Sequence, residues 1–427
     1  MFKPRTIFSA FTAIILAFVL VIQVDAQPAL ATLASCSPTA VNRPICPSTA
    51  APASASFIDP AAIITNPANI TLGEKVYVAP FARLNATNGP IIIHDGSNVQ
   101  DQVSITPSVA GATIGERVIL AHLATVKGTA RIGLTGSTGP FTDPVSGVQF
   151  SNTQPETFIA FNAEVDGATI EFNTVVNFLS RVGPGVTLPS GKVVLPGKNV
   201  TSNIEATSGS LGKVSNLTQA DVALMQGVIA VNQSLAQGYT QLALANPSNV
   251  TGINFSPSTP NNPTPSLPTI GGVTVQDPSY PNRIIGNVIL QDSLAALNQK
   301  LGNRISIRAD EGQPFNIGIL AGVANDVVFH GLATTNLTIG NGNGYGPRVL
   351  VHGGRQVVNG VDSGPETRLG NDVGLAPDVV IFRADIGNRS AVGRKSGVFN
   401  STLPARTHIR SRIIYADNGS LISRVEW

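Results

Sequence analysis

Apolar residues recur at six-residue intervals through long stretches of this chain: Ile64, Ile70, Val76 and Ala82; Ile93, Val99 and Ile105; Ile114, Leu120, Val126 and Ile132; then Ile170, Val176, Val182, Leu188 and Val194. Many of them stand two to four residues from Gly, Asn or Asp. This beat is the signature of a parallel β-helix, in which each short strand sends one side chain into a narrow prism and three strands complete a coil. A coil cannot bury its own inward residues, so stability comes only from stacking coil on coil. The beat resumes at Ile317, Val323 and Phe329, at Leu369, Leu375 and Ile381, and at Ile386, Val392 and Val398. The chain therefore reads as all-β, with two solenoids in tandem.

Between the two runs the pattern changes. In "NLTQADVALMQGVIAVNQSLAQGYTQLALAN", residues 216–246, Thr218 and Asp221 form a capping pair, and Val222, Met225, Ile229, Gln233 and Ala236 follow helical spacing. A helix of about 25 residues is expected to follow the first solenoid. The stretch "PSTPNNPTPSLP", 257–268, reads as an extended Pro-rich linker at the domain boundary. Segments 136–154 and 341–365 interrupt the beat and are expected to leave the prism as loops. The glycine-rich "GNGNGYG" at 340–346 lacks the Lys-Ser/Thr and the helix of a phosphate-binding loop, so it reads as the tip of the second insertion. With 12% charged residues and a formal net charge of +2, nothing suggests a nucleic-acid surface. The 42 Gly and 30 Pro favour strands and tight turns over helix bundles.

Lys3 and Arg5, the apolar run from Ile7 to Val24 and the small residues Ala29 and Ala31 form a secretory signal pattern, placing the mature chain in a secreted, periplasmic or extracellular setting. The apolar run is also about long enough for an uncleaved membrane anchor. The two cysteines, Cys36 and Cys46, follow at once and are expected to pair. The alternative is acylation of Cys36 in a "LASC" box; a membrane enters only through one of these two routes. The expected division is a signal peptide 1–31, a Cys-containing segment 32–56, a first β-helix with its helix 57–250, a linker 251–282 and a second β-helix 283–427.

The residues that carry function resemble a known family. "DGSNVQDQVSITP", "TIGERVILAHLATVKG" and "AVNQSLAQGY" in the first half, and "IRADEGQPFNIG", "NDVVFHG" and "LGNDVGLAPDVVIFR" in the second, are similar to the γ-class carbonic anhydrases. That family consists of trimers of left-handed β-helices which hydrate carbon dioxide on a zinc ion held between subunits. Hexapeptide acyltransferases share the beat but not this order of motifs. The resemblance implies left-handed prisms, packing through prism faces or self-association, and, in an active protein, carbon dioxide and bicarbonate as substrates.

The family's zinc takes one histidine after a "QD" coil and a later His-x4-His pair, with one ligand from a neighbouring subunit. Aligned on that pattern, the first half offers Thr106, His122 and Lys127, and the second offers His330, Pro377 and Phe382. Each half keeps one imidazole of three. His122 and His330 match different ligand positions, so only packing of the first unit against the second could bring both to one metal. Gln100 and Asn232 match pocket residues, Glu311 matches a glutamate that moves protons, and Arg308 with Asp310 match an interface ion pair. His94, His352 and His408 have no partner at metal-ligand spacing and read as surface or loop residues. A catalytic zinc needs three protein ligands and an open position. The expectation is therefore a carbonic-anhydrase-like scaffold or binding protein with an incomplete zinc site, a pseudoenzyme; the alternative is an active carbonic anhydrase with an interdomain site.

Overall fold

The computed structural model describes residues 35–427. The expected signal segment lies outside the described residues. Along one face of the first prism, short parallel strands run in register: Phe57 opposite Tyr77, then Asn98, Ile119, Phe158, Val175 and Val193. Successive side chains in a strand point to opposite sides. The next residues, Ile58, Val78, Val99, Leu120, Ile159, Val176 and Val194, therefore form a column inside the prism, each at most 1% exposed. The second prism repeats the device with Ile284, Ile307, Phe329, Val351, Ile381 and Val398, all fully buried. The period-six residues are thus the inward ones, Leu375 among them. The architecture is mainly β, two parallel left-handed β-helices in tandem.

The prism corners put non-glycine residues into the left-handed region, which disfavours a Cβ by about 1–2 kcal/mol per residue. At one corner of the second prism the column reads Arg304, Asp326, Arg348 and Asp378, with φ of 59°, 62°, 59° and 60°. Opposite charges in successive coils pair there, Arg304 with Asp326 at 2.6 Å and Arg348 with Asp378 at 3.1 Å.

The helix spans Gln219–Ala245 and opens on a complete capping box between Thr218 and Asp221. Its buried side, including Met225, Ile229, Leu235 and Tyr239, lies on the outer face of the first prism; Tyr239 stacks on Phe57 at 5.1 Å and Tyr77 at 6.0 Å. Among the described residues no helix is long and apolar enough to cross a membrane. Cys36 and Cys46 form a disulfide, with 5.7 Å between Cα atoms, at the open end of the first prism. Ile45–Cys46 pairs antiparallel with Ser56–Ile58 there and covers a sheet edge that would otherwise be free to pair with another chain.

Two expectations about chain organisation need correcting. The segment 251–282 is the first coil of the second prism rather than a free linker: Ile253–Asn254 pairs with Arg283–Gly286, and Thr269–Ile270 with Val288–Leu290. Strands two residues long leave room for proline at the turns without loss of a ladder N–H. The second insertion is also shorter than 341–365. Gly344–Tyr345 and Leu350–Gly353 are strands of a regular coil, and only the hairpin of Arg355–Val358 with the first part of Val361–Leu369 leaves the prism, since Thr367 and Leu369 already pair with Leu337 and Ile339. Ile339, Tyr345 and Val351 keep the six-residue beat, and all three are buried. The first insertion forms a small hairpin, Phe141–Thr142 with Gln149–Phe150.

Replacing either inward residue, Leu120→Ala or Leu375→Ala, should cost about 2–5 kcal/mol of stability, because the stacked column cannot collapse into the space left behind. Equilibrium denaturation measures this. A loss under 1 kcal/mol would contradict the column.

Candidate metal centre

Where the two prisms meet, each presents a ladder of side chains, one per coil. On the first unit these are Asp101, His122, Phe161 and Phe178, linked coil to coil by the backbone bonds Leu123 N to Asp101 O, Asn162 N to His122 O and Leu179 N to Phe161 O, 3.0–3.1 Å long. On the second, His330 stands opposite His352, His352 opposite Phe382, and Phe382 opposite Phe399, with Arg308 one coil before His330. The ladders pair charge with charge at one end and aromatic with aromatic at the other. Between them three imidazoles converge.

His122 Nε2 lies 3.2 Å from His330 Nδ1, and His330 Nδ1 lies 3.3 Å from His352 Nε2. One nitrogen from each of the three rings falls within 4.8 Å of the others. Their exposures are 0%, 3% and 3%. Zinc–nitrogen bonds of about 2.0–2.1 Å at a tetrahedral angle put ligand nitrogens about 3.3 Å apart. The two printed separations have that spacing.

The third imidazole is one for which the sequence shows no partner at metal-ligand spacing. His352 is neither on the surface nor in a loop; it ends the strand Leu350–Gly353, one coil after His330 and in register with it. Aligning the later pair on Pro377 and Phe382 skipped a coil, because glycine-rich sequence hid the 339–345–351 beat. The corrected pair reads Pro347 and His352. Phe382 follows one coil later and meets His352 edge-on at 5.4 Å. Thr106 and Lys127 lie on a different strand face, where Lys127 pairs with Glu164 at 3.0 Å and Asp166 at 3.5 Å. His94 and His408 are exposed.

No family profile matches the chain. A carbonic anhydrase from Methanosarcina thermophila is 26% identical over 181 residues, a match covering 38% of this chain and 66% of the relative. The chain is a β-helix protein similar in sequence to a carbonic anhydrase. Among solved structures, a hexapeptide transferase family protein from Anaplasma phagocytophilum aligns at 16% identity over 44% of this chain and 93% of its own, with a TM-score of 0.21. A putative acetyltransferase from Bacillus cereus aligns at 18% identity over 44% and 94%, with a TM-score of 0.17. Scores that low have no bearing on the chemistry.

Within the three-histidine cluster the far nitrogen of each ring faces an acceptor. His352 Nδ1 donates to the Gly353 carbonyl at 2.9 Å. His122 Nδ1 lies 3.1 Å from Asp101 Oδ2. His330 Nε2 lies 3.3 Å from Asp310 Oδ1 and 3.4 Å from Glu311 Oε1. Protons on those far nitrogens leave three lone pairs aimed at one another across the interface. Burial keeps the rings neutral: it lowers His122 against the pull of Asp101, lowers His330, with Arg308 adding to the effect, to about 4, and with the other two imidazoles pushes His352 well below the ordinary range. Neutral imidazoles oriented by a carboxylate or carbonyl are what a divalent cation binds. Converging lone pairs repel without a cation or proton between them, so this donor set fits a zinc ion.

Around the imidazoles runs a buried ionic network. Arg308 reaches across the interface to grip Asp101 with two nitrogens, at 3.0 and 2.7 Å, and also pairs with Asp310 in its own unit. Burial alone would raise both carboxyls, but Arg308 and His122 hold Asp101 well below the usual range, and Arg308, His330 and Tyr239 hold Asp310 below it. A second crossing pair joins Arg283 to Asp59 at 2.9 Å. Gln100 borders the site, its Oε1 accepting from the His122 N–H at 3.3 Å. Asn232 is buried, but its amide donates to Val228 O in its own helix. Burial, then the charge of Asp310, pushes Glu311 well above the carboxylate range.

Arg308→Ala strands two buried carboxylates and should cost about 3–5 kcal/mol, measured by denaturation at neutral pH. Arg308→Lys should not restore it, since an ammonium cannot reproduce the two-nitrogen grip. In metal-free protein, His330 binds fewer protons folded than unfolded between pH 6.5 and about 4. Stability should therefore fall as pH drops through that window, and His330→Gln should flatten the dependence.

Proposed function

We propose that the chain binds one zinc ion between its two units and there hydrates carbon dioxide to bicarbonate and a proton. The observation that carries this reading is the convergence of His122 from the first unit with His330 and His352 from the second. Similarity to a carbonic anhydrase supports it. The expectation of a scaffold rests on a missing third imidazole, and His352 supplies a third ring to the cluster.

Held by His122, His330 and His352, zinc would supply Lewis acidity, lowering the pKa of a bound water to about 7. The chain's own residues do the rest. Asp101 and the Gly353 carbonyl orient the rings of His122 and His352, and the accepting oxygen of Gln100 fixes the His122 backbone. Glu311, with its raised proton affinity and its carboxylate beside His330, takes up the proton that hydration releases and passes it to solvent. The Cys36–Cys46 disulfide favours an oxidising compartment, in keeping with the signal pattern, so we place the activity outside the cytoplasm.

The test is metal content with carbon dioxide hydration measured on the purified chain. We expect one zinc per chain, loss of activity with a chelator and its return with zinc. His122→Ala, His330→Ala and His352→Ala should each lower hydration by at least about a thousandfold, since two imidazoles do not hold a catalytic zinc. A wild-type chain without zinc or turnover would leave the scaffold reading standing.

A further inference from the structure

Phe161 follows His122 in the first unit's ladder, yet its ring belongs to both units. It stacks on His352 at 4.8 Å with planes 29° apart, on His122 at 5.6 Å and 28°, and meets Phe382 edge-on at 5.6 Å and 79°. Phe178 and Phe399, stacked at 4.7 Å, continue the aromatic layer one coil further. Phe161 and Phe382 are each only 5% exposed. The imidazoles are therefore closed off on this side by rings drawn from both prisms.

A histidine's second side-chain torsion is broad, so its rotamer does not fix the ring plane. The bond from His352 Nδ1 to the Gly353 carbonyl fixes one point of that ring, while His122 Nδ1 has only the electrostatic pull of the Asp101 carboxylate 3.1 Å away. A flat partner fixes the plane. We propose that Phe161 is a positioning residue for the metal centre: it sets the ring planes of His122 and His352 together, so that ligands from two separate prisms meet in one geometry, and it excludes water from that flank. The inference rests on the zinc reading. Groups that orient ligands, and the apolar shell around them, typically change metal affinity by ten- to a hundredfold when altered.

The test compares Phe161→Leu, which removes the flat face, with Val380→Ala, which thins the same buried interface layer. Full-length protein is titrated with zinc against a chromophoric chelator, and with cobalt(II) while visible absorption is recorded. Thermal melting of the metal-free proteins reports the structural loss. Phe161→Leu should weaken zinc binding about tenfold or more and shift the cobalt bands. Val380→Ala should lower the melting temperature yet leave both metal readouts close to wild type. If Phe161→Leu binds zinc as tightly as wild type, or loses no more affinity than Val380→Ala, the positioning role is overturned while the zinc reading stands. A wild-type chain that takes up no zinc would overturn both.

Discussion

A guanidinium sealed from water must be met by negative charge, and Arg308 meets it from both sides of the domain boundary, with Asp101 on one prism and Asp310 on its own. The cost of burying such ions is offset only when geometry and hydrogen bonding are near ideal. The two-nitrogen grip on Asp101, the serine hydroxyl of Ser306 on the same carboxylate and the tyrosine hydroxyl of Tyr239 on Asp310 supply that geometry. Sliding one prism along the other by a single coil would put Arg308 opposite His122 and leave Asp101 unpaired. The ion pair therefore fixes the register in which the histidines meet.

The ladders pass from ionised groups through neutral imidazoles to hydrocarbon within a few coils. Each zone conditions the next. Asp101 is ionised because Arg308 is beside it, and an ionised Asp101 favours a proton on the far nitrogen of His122, leaving the near one free to bind. At the other end the phenylalanine layer keeps the local dielectric low, which depresses imidazole protonation and strengthens the attraction between any bound cation and its ligands.

Much of the fold was legible because β-helix coils repeat at a fixed interval: Leu120, Val176, Leu375 and Val398 could be placed inside a prism from spacing alone, and Thr218 with Asp221 marked the start of the helix. His122, His330, Arg308 and Asp310 were readable through family likeness, and the need for an interdomain contact followed from each half's shortage of ligands. His352 was not legible, because the coil that carries it turns on glycines, with Tyr345 as its one large inward residue between Ile339 and Val351. A beat carried by a tyrosine amid glycines looks like a loop. The Pro-rich stretch misled for a related reason: strands of two residues leave most of a coil as turn, so turn-like composition does not exclude a place in the prism. Phe161 gave no signal, since its stacking on His122 and Phe178 of its own prism and on His352 of the other joins residues far apart in the chain.

The first coil of the second prism, built from residues 251–282, joins directly to the helix that covers the first. The two halves of the site are thus delivered at a fixed one-to-one ratio, and their meeting is an intramolecular event whose effective concentration is set by the chain rather than by how much protein is present. A site shared between separate subunits comes apart on dilution; this one does not. Covalent joining also frees each half from carrying a full set of ligands. Thr106 and Lys127 illustrate this: both are half-buried away from the histidines, and Lys127 serves an ion pair with Glu164 instead.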